Sequence, residues 1–367
     1  MTPEDRAWEV VRRAYEERIR TPRRTTPSNR LLLAGVAAAV LAGAVLSPPG
    51  RAVLGDLRES VGVEHAAPAL FSLPAPGRLL VVSGEGGGVW VVNGDGSKRR
   101  LGDYEDARWS PYGRYVVASG RNALVALEPD GTERWSLARP GVSHPHWGGS
   151  RTDTRVAYCT ATGLRVVAGD GTGDRLVSRR ACESEWRPGP DHVLAYVVGD
   201  TVVVADVDTR RVVWRSAGGG DLAWSRFGER LAVATPSAVR ILDGAGRRMR
   251  TLRFRKTVEQ IAFAPGSKGL AVHLRAENGA RTASEIRLVA GDGSGSRRLF
   301  AATGAFRDLV WSPNGQWLLV DWPSASQWLF VPLAGRVRAV TNLGRQFPRP
   351  DDAYPSFLLA GRWCCAP

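Results

Sequence analysis

Clusters of basic residues follow turn-like stretches along this chain: Lys98-Arg99-Arg100, Arg179-Arg180, Arg210-Arg211, Arg247-Arg248 and Arg297-Arg298. Guanidinium groups grip carboxylates and phosphates through paired N–H donors. Set at equivalent positions of a repeated unit, these arginines would line one rim and form a basic ring for an anionic polymer. The plainer reading is solvated edge charge that discourages foreign strands from pairing. Other chemistry is thin. His144-Pro145-His146 would put both imidazoles on one side of a strand, yet the sequence names no further metal ligands. The glycine run Gly84-Glu85-Gly86-Gly87-Gly88 leads into a strand pattern, not a helix, and so is no dinucleotide fingerprint. No Gly-x-Ser-x-Gly elbow occurs. The Asp-Gly turns never continue to the bidentate glutamate of a calcium loop. The expectation is a binding protein with no catalytic residue, no metal and no cofactor.

The formal charge of +14 points to an acidic partner or to coding bias. Lys occurs only at Lys98, Lys256 and Lys268, and the other basic residues are Arg. That imbalance favours the coding explanation, and no nucleic-acid partner is expected. The cysteines are Cys159, Cys182, Cys364 and Cys365, too few for a disulfide scaffold. Cys159 and Cys182 lie within one repeat length and could be bridged or buried as thiols. Cys364 and Cys365 are adjacent, and neighbouring side chains of a strand point to opposite faces, so a bond between them would be strained.

The elements that must carry these groups begin with an amphipathic helix over residues 2–20. Trp8, Val11, Tyr15 and Ile19 form its apolar stripe, with Glu9–Arg13 and Glu16–Arg20 as supporting pairs. A membrane surface or a cytoplasmic protein partner could cover that stripe. Residues 21–30 are a basic linker, so residues 1–30 form one cytoplasmic segment. Residues 31–46 carry no charge, and we expect a transmembrane signal anchor over residues 31–47. Ala42-Gly43-Ala44 offers a competing cleavage site. Arginines at 18, 20, 23, 24 and 30 precede the apolar run, which places the N-terminus in the cytoplasm and the remainder outside. Residues 48–69 read as an extracytoplasmic linker with a short helix at 51–61.

From residue 70 onward one unit repeats. Its lead positions are Trp109, Trp147, Trp186, Trp224, Phe263 and Trp311, spaced by 38, 39, 38, 39 and 48 residues. Counting back 38 from Trp109 reaches Phe71. Each unit holds four strand-like runs, which in the unit of Trp109 are residues 107–109, 115–118, 124–127 and 132–137. Asp-Gly at 95–96, 130–131, 170–171, 243–244 and 292–293 supplies hairpin turns. A period near forty made of strands and turns predicts an all-β fold, a β-propeller of seven four-stranded blades over residues 70–367. The lead aromatics should pack between blades. The tail at 357–363 should pair in the first blade beside residues 78–102, and residues 275–284 should form a protruding polar loop. Trp135 and Trp214 read as outer-strand residues packing on the next blade.

Trp109-Ser110-Pro111-Tyr112-Gly113 and Trp311-Ser312-Pro313-Asn314-Gly315, each followed by a hydrophobic strand and later an Asp-Gly hairpin, resemble the TolB-like or PD40 class of WD40-like β-propellers. Together with the N-terminal helix, the anchor and the terminal Trp363-Cys364-Cys365, the chain resembles membrane-anchored propellers of high-GC bacteria. That resemblance is specific for fold and weak for function; the chain's own signals, with no catalytic group among them, favour a binding or scaffold role at a propeller face, with a protein or envelope polymer as partner. It also leaves room for a transmembrane signalling role of the anti-sigma kind, in which residues 2–20 hold a cytoplasmic regulator. A hydrolase or lyase of the cell envelope ranks third.

Overall fold

The computed structural model describes residues 63–67, 72–83, 88–278, 281–341, 343–347, 357–358 and 363–365. Trp8, Val11, Tyr15, Ile19, the apolar span at 31–47, the 51–61 segment and Phe71 lie outside them. Among the described residues no helix is long and apolar enough to cross a membrane. The chain divides into Met1–Gly55 and Asp56–Pro367, and the second unit holds the sheets.

The strands assemble into seven antiparallel sheets taken in chain order, a seven-bladed propeller. In the blade led by Trp109 the strands are Asp106–Trp109, Val116–Ser119, Ala123–Leu127 and Glu133–Ala138, each within a residue or two of the sequence expectation. Apolar residues are continuous in the second and third strands because both faces of each blade are covered by neighbours. Leu80, Val82, Val116 and Ala118 have almost no exposed surface. The outermost strands alternate instead: Arg211–Ala217 is exposed and half-buried by turns.

Seven apolar clusters hold the ring, one at each seam. Six contain a buried lead tryptophan: Trp109, Trp147, Trp186, Trp224, Trp311 and Trp363. Partly buried Phe263 packs against the seventh. The indole N–H groups also stitch blades together. Trp186 Nε1 donates to the His146 carbonyl at 3.1 Å, Trp224 to that of Glu185 at 3.3 Å, and Trp311 to that of Ala262 at 3.0 Å. In every case the acceptor precedes the lead residue of the blade before. The outer tryptophans do the same at larger radius: Trp135 Nε1 donates to Gly169 O at 2.8 Å, and Trp214 Nε1 to Gly244 O at 3.0 Å.

The serine after the lead residue locks the first turn of a blade. Ser312 Oγ accepts from Trp317 N–H at 3.0 Å, Ser110 Oγ from Tyr115 N–H at 2.9 Å, and Ser225 Oγ from Arg230 N–H at 3.0 Å. Gly113, Gly228 and Gly315 close these turns at φ of 65°, 68° and 67°, in the left-handed region.

Three features differ from the sequence reading. The lead position of the first blade is filled by Trp363, and Phe71 lies outside the described residues. Trp363 stands opposite Leu79 in the second strand of that blade as Trp109 stands opposite Val116. The tail itself pairs where the sequence reading put it: Phe357–Leu358 and Trp363–Cys364 both pair with Arg78–Ser83, so it supplies the innermost strand and the ring closes with chain from both ends. Residues 275–278 and 281–284 are not loop. They continue the strands Gly269–Asn278 and Arg281–Ala290, whose pairing runs out to Asn278 and Arg281. Polar side chains on both faces hid the strand pattern there. Within the expected linker, Val63–Ala67 is a fifth strand, parallel to Val337–Val340 on the outer edge of the last blade.

Cys159 and Cys182 form a disulfide that fastens the second strand of the third blade to the connection leading out of it. Closing a loop of 23 residues removes about 3 kcal/mol of unfolded-chain entropy. Cys364 and Cys365 are bonded to each other. The strand ends at Cys364, and Cys365 turns to φ 44°, so the alternation of a regular strand does not apply to the pair.

Candidate functional site

In four-stranded antiparallel blades the first and third turns emerge at one end of the ring. The second turns and the blade-to-blade connections emerge at the other. The first end, the turn face, carries the expected basic rim: Arg99, Arg100, Arg210, Arg211, Arg247, Arg248, Arg297 and Arg298 all lie at or just before the start of an outermost strand and are exposed. Arg179 and Arg180 do not join them. They follow the outer strand Arg175–Ser178 and sit at the opposite end. The ring is also partly engaged by its own neighbours. Arg99 donates to Asp130 O at 3.3 Å and Arg297 to Leu333 O at 2.6 Å, each on the next blade, while Arg100 pairs with Asp103 and Arg247 with Asp243. His144 and His146 are not brought together either. His144 takes φ 51° and meets Ser143, whereas His146 Nε2 meets Ser184 Oγ at 3.0 Å in the next blade. Among the described residues no three His, Cys, Asp or Glu side chains are grouped as metal ligands.

What the turn face does present is a cleft of about 660 Å³ between the blades led by Trp109 and Trp147, a size typical of ligand sites. One wall is the turn Ser110-Pro111-Tyr112-Gly113 with Arg114 and Tyr115. The other is Ser150-Arg151-Thr152-Asp153. Tyr115 stacks on Trp147 with centroids 6.2 Å apart, and Arg114 and Arg134 lie over its ring at 5.2 and 5.7 Å. Arg151 covers Tyr112 at 4.7 Å. Tyr112 is half exposed, in a protein where few large apolar side chains are. The lining serine hydroxyls are committed to structure: Ser110 to its own turn, and Ser150 Oγ to the Asp153 N–H at 3.0 Å.

Beneath one end of the cleft lies an ion-pair cluster that joins the third and fourth blades. Asp208 accepts from Arg155 Nη2 at 3.0 Å, from Arg175 Nη2 at 2.7 Å, and meets His192 Nδ1 at 2.6 Å. Burial alone would raise the Asp208 pKa, but hydrogen bonds from Arg155, His192 and Arg175 outweigh it and hold it at about 2. Arg155 is thereby fixed in place and its charge neutralised. Arg114 and Arg151 have no carboxylate partner among the described residues.

At the opposite end a smaller hollow of about 320 Å³ is lined by Arg255, Lys256, Arg275 and Glu277. Lys256 is spent on Glu285 at 2.6 Å and Arg275 on Glu259 at 2.8 Å and Glu277 at 2.7 Å, which leaves Arg255 as its one cation without an ion-pair partner among the described residues. The cleft on the turn face, the larger of the two and with two such cations set over aromatic rings, is the candidate site. Sequence reading singled out neither Tyr112 nor Arg151. The available signal was an aromatic residue at the turn position that Asn314 fills in the last blade.

No protein-family model matches the sequence, and no curated protein matches it. The fold is similar to that of solved propellers. The C-terminal WD40 domain of Sif2 superposes with a TM-score of 0.54 at 11% identity, covering 76% of this chain and 89% of that one. A chain of the mitotic checkpoint complex gives 0.52 at 16% identity, covering 75% and 90%. The hydrazine synthase of Kuenenia stuttgartiensis gives 0.49 at 14% identity, covering 62% and 76%. At these identities the likeness concerns the fold alone.

Proposed function

We propose that this chain is a membrane-tethered β-propeller that works outside the cytoplasm as a binding scaffold and performs no catalysis. The carrying observation is the cleft between the second and third blades, which offers guanidinium and aromatic faces while its serine hydroxyls are tied into turns. Such a surface holds a ligand by stacking and charge without activating one. The apolar run at 31–46 and the arginines before it support the tether and its orientation. The Trp-Ser-Pro-x-Gly phrases support a place in the TolB-like or PD40 class.

The test uses the full-length chain in its native membrane. A protease added from outside should cut the propeller in intact cells, and affinity capture after external cross-linking should retain a specific protein or envelope polymer. The reading fails if the propeller is cut only from the cytoplasmic side. It also fails if nothing is retained on the outer side.

A further inference from the structure

The charge pattern inside the cleft narrows the kind of ligand it accepts. Four lining arginines face it, Arg114, Arg134, Arg151 and Arg155. Two are already neutralised: Arg155 by Asp153 and Asp208, and Arg134 by Glu128 at 3.3 Å. Arg114 and Arg151 remain, and each sets its guanidinium over a tyrosine ring at 5.2 and 4.7 Å. A guanidinium held over a ring face in this way still has N–H donors to offer a carboxylate. Two carboxylates, Asp153 and Asp170, also line the cleft. Asp170 stays ionised: hydrogen bonds from the Thr172 hydroxyl and backbone hold its pKa below the ordinary carboxylate value.

This arrangement disfavours a uniformly charged polyanion. Such a ligand needs a continuous cationic track, and it would run past the ionised Asp170 with like-charge repulsion. It suits a ligand that carries one or two carboxylates separated by apolar groups. The carboxylates would meet Arg114 and Arg151, and the apolar groups would meet the rings of Tyr112 and Tyr115.

We propose that the cleft binds an extended acidic peptide segment of a partner protein, with Arg114 and Arg151 as carboxylate receptors and Tyr112 as the apolar platform. The proposal rests on the binding-scaffold reading and gives it a ligand class.

The probe is a fluorescein-labelled nonapeptide of alternating Glu and Phe or Leu flanked by Gly-Ser, titrated into the full-length chain in detergent and followed by fluorescence anisotropy. Its Gln-for-Glu analogue is the neutral control, and heparin is the polyanion control. The acidic peptide should bind at least tenfold more tightly than the neutral one. Arg114→Gln with Arg151→Gln should abolish that preference. Tyr112→Ala should weaken both peptides alike, and Arg247→Gln with Arg248→Gln on the rim should change neither. Unaltered far-UV circular dichroism and melting temperature separate these effects from misfolding. The proposal is overturned if the two peptides bind equally, or if the Arg114/Arg151 variant keeps the preference. It is likewise overturned if heparin displaces the peptide and its binding depends on the rim arginines instead. If external capture retains a partner that the Arg114/Arg151 variant still holds, the scaffold reading stands and the cleft assignment falls. If capture retains nothing while the peptide preference holds, the cleft assignment stands and the scaffold reading falls.

Discussion

Asp321 is fully buried in the second strand of the last blade, and neither carboxyl oxygen has a hydrogen-bond partner. Burial, reinforced by the charge of Asp308, pushes its pKa up to about 8, against a smaller opposing effect of Arg307. A buried carboxyl avoids the large penalty of an unpaired ion by keeping its proton. The folded state therefore holds a proton between pH 4 and about 8 that the unfolded chain has released, and stability falls as pH rises through that window. Asp221 contributes in the same direction. Its carboxyl is raised to about 7 by burial, with Glu185 and Glu183 adding to it, even though it accepts the Ile261 N–H at 2.7 Å. His273 works oppositely, since burial lowers it to about 4 and the folded state resists its protonation below pH 6.5. Urea unfolding at pH 5 and pH 8 should show Asp321→Asn losing less stability across that interval than the unmutated chain, by about 3–4 kcal/mol. Asp221 should leave a residual slope. An identical pH dependence in the variant would mean that Asp321 is ionised in the fold.

Turns and hairpins carry the repeat, and glycine acts in them in two separable ways. Gly315 sits at φ 67°, and a methyl group there would meet nothing closer than Pro265 Cδ at 3.5 Å. Gly171 sits at φ 87°, and a methyl group there would meet the Trp135 ring at 3.0 Å, against the hairpin to which that indole is bonded. Gly315→Ala should therefore lose only the left-handed conformational term, about 1–2 kcal/mol. Gly171→Ala should lose more, and the excess should vanish in a Trp135→Ala background. Equal losses in both backgrounds, by chemical unfolding, would show that the outer tryptophan does not press on the hairpin. These turns were legible in the sequence because Ser-Pro-x-Gly and Asp-Gly each require a particular backbone. The lead aromatics from Trp109 to Trp311 were legible because a fixed period brings each to the equivalent position at its own seam. Residues 275–278 and 281–284 were not, since their side chains are mostly polar or half-buried and imprint little apolar alternation. Nor was the cleft, because it forms where the first turns of two blades meet across a seam. Arg114 and Arg151 are 37 positions apart, and only the ring brings their turns side by side.

Closure decides whether seven blades behave as one body. Without the tail, Arg78–Ser83 would be the innermost strand of the first blade, with an unpaired edge facing the axis. Trp363 would also be missing from the last seam, where it is buried among Leu79, Val310 and Leu319 and meets Phe330 edge-on at 5.7 Å. The tail therefore does two kinds of work, backbone pairing and seam packing, and they can be separated. Trp363→Ala removes the packing and leaves the backbone able to pair. It should lower stability by about 3–5 kcal/mol while unfolding stays a single transition. Deleting residues 357–367 removes both, and the exposed edge should recruit a second copy or aggregate. Calorimetry combined with size-exclusion chromatography distinguishes the outcomes. A deletion variant that stays monomeric and melts with the unmutated chain would show that the ring is held by its seams alone. The choice of which blade is closed also places the join beside the cleft. Arg78 Nη2 donates to Gly113 O at 2.7 Å, and the Cys364–Cys365 sulfurs lie against Gly113 in the turn that carries Tyr112. Closure and ligand contact thus share one turn, so Trp363→Ala should loosen binding of the acidic nonapeptide as well as the ring, whereas a comparable loss at the opposite seam, Trp224→Ala, should leave binding unchanged.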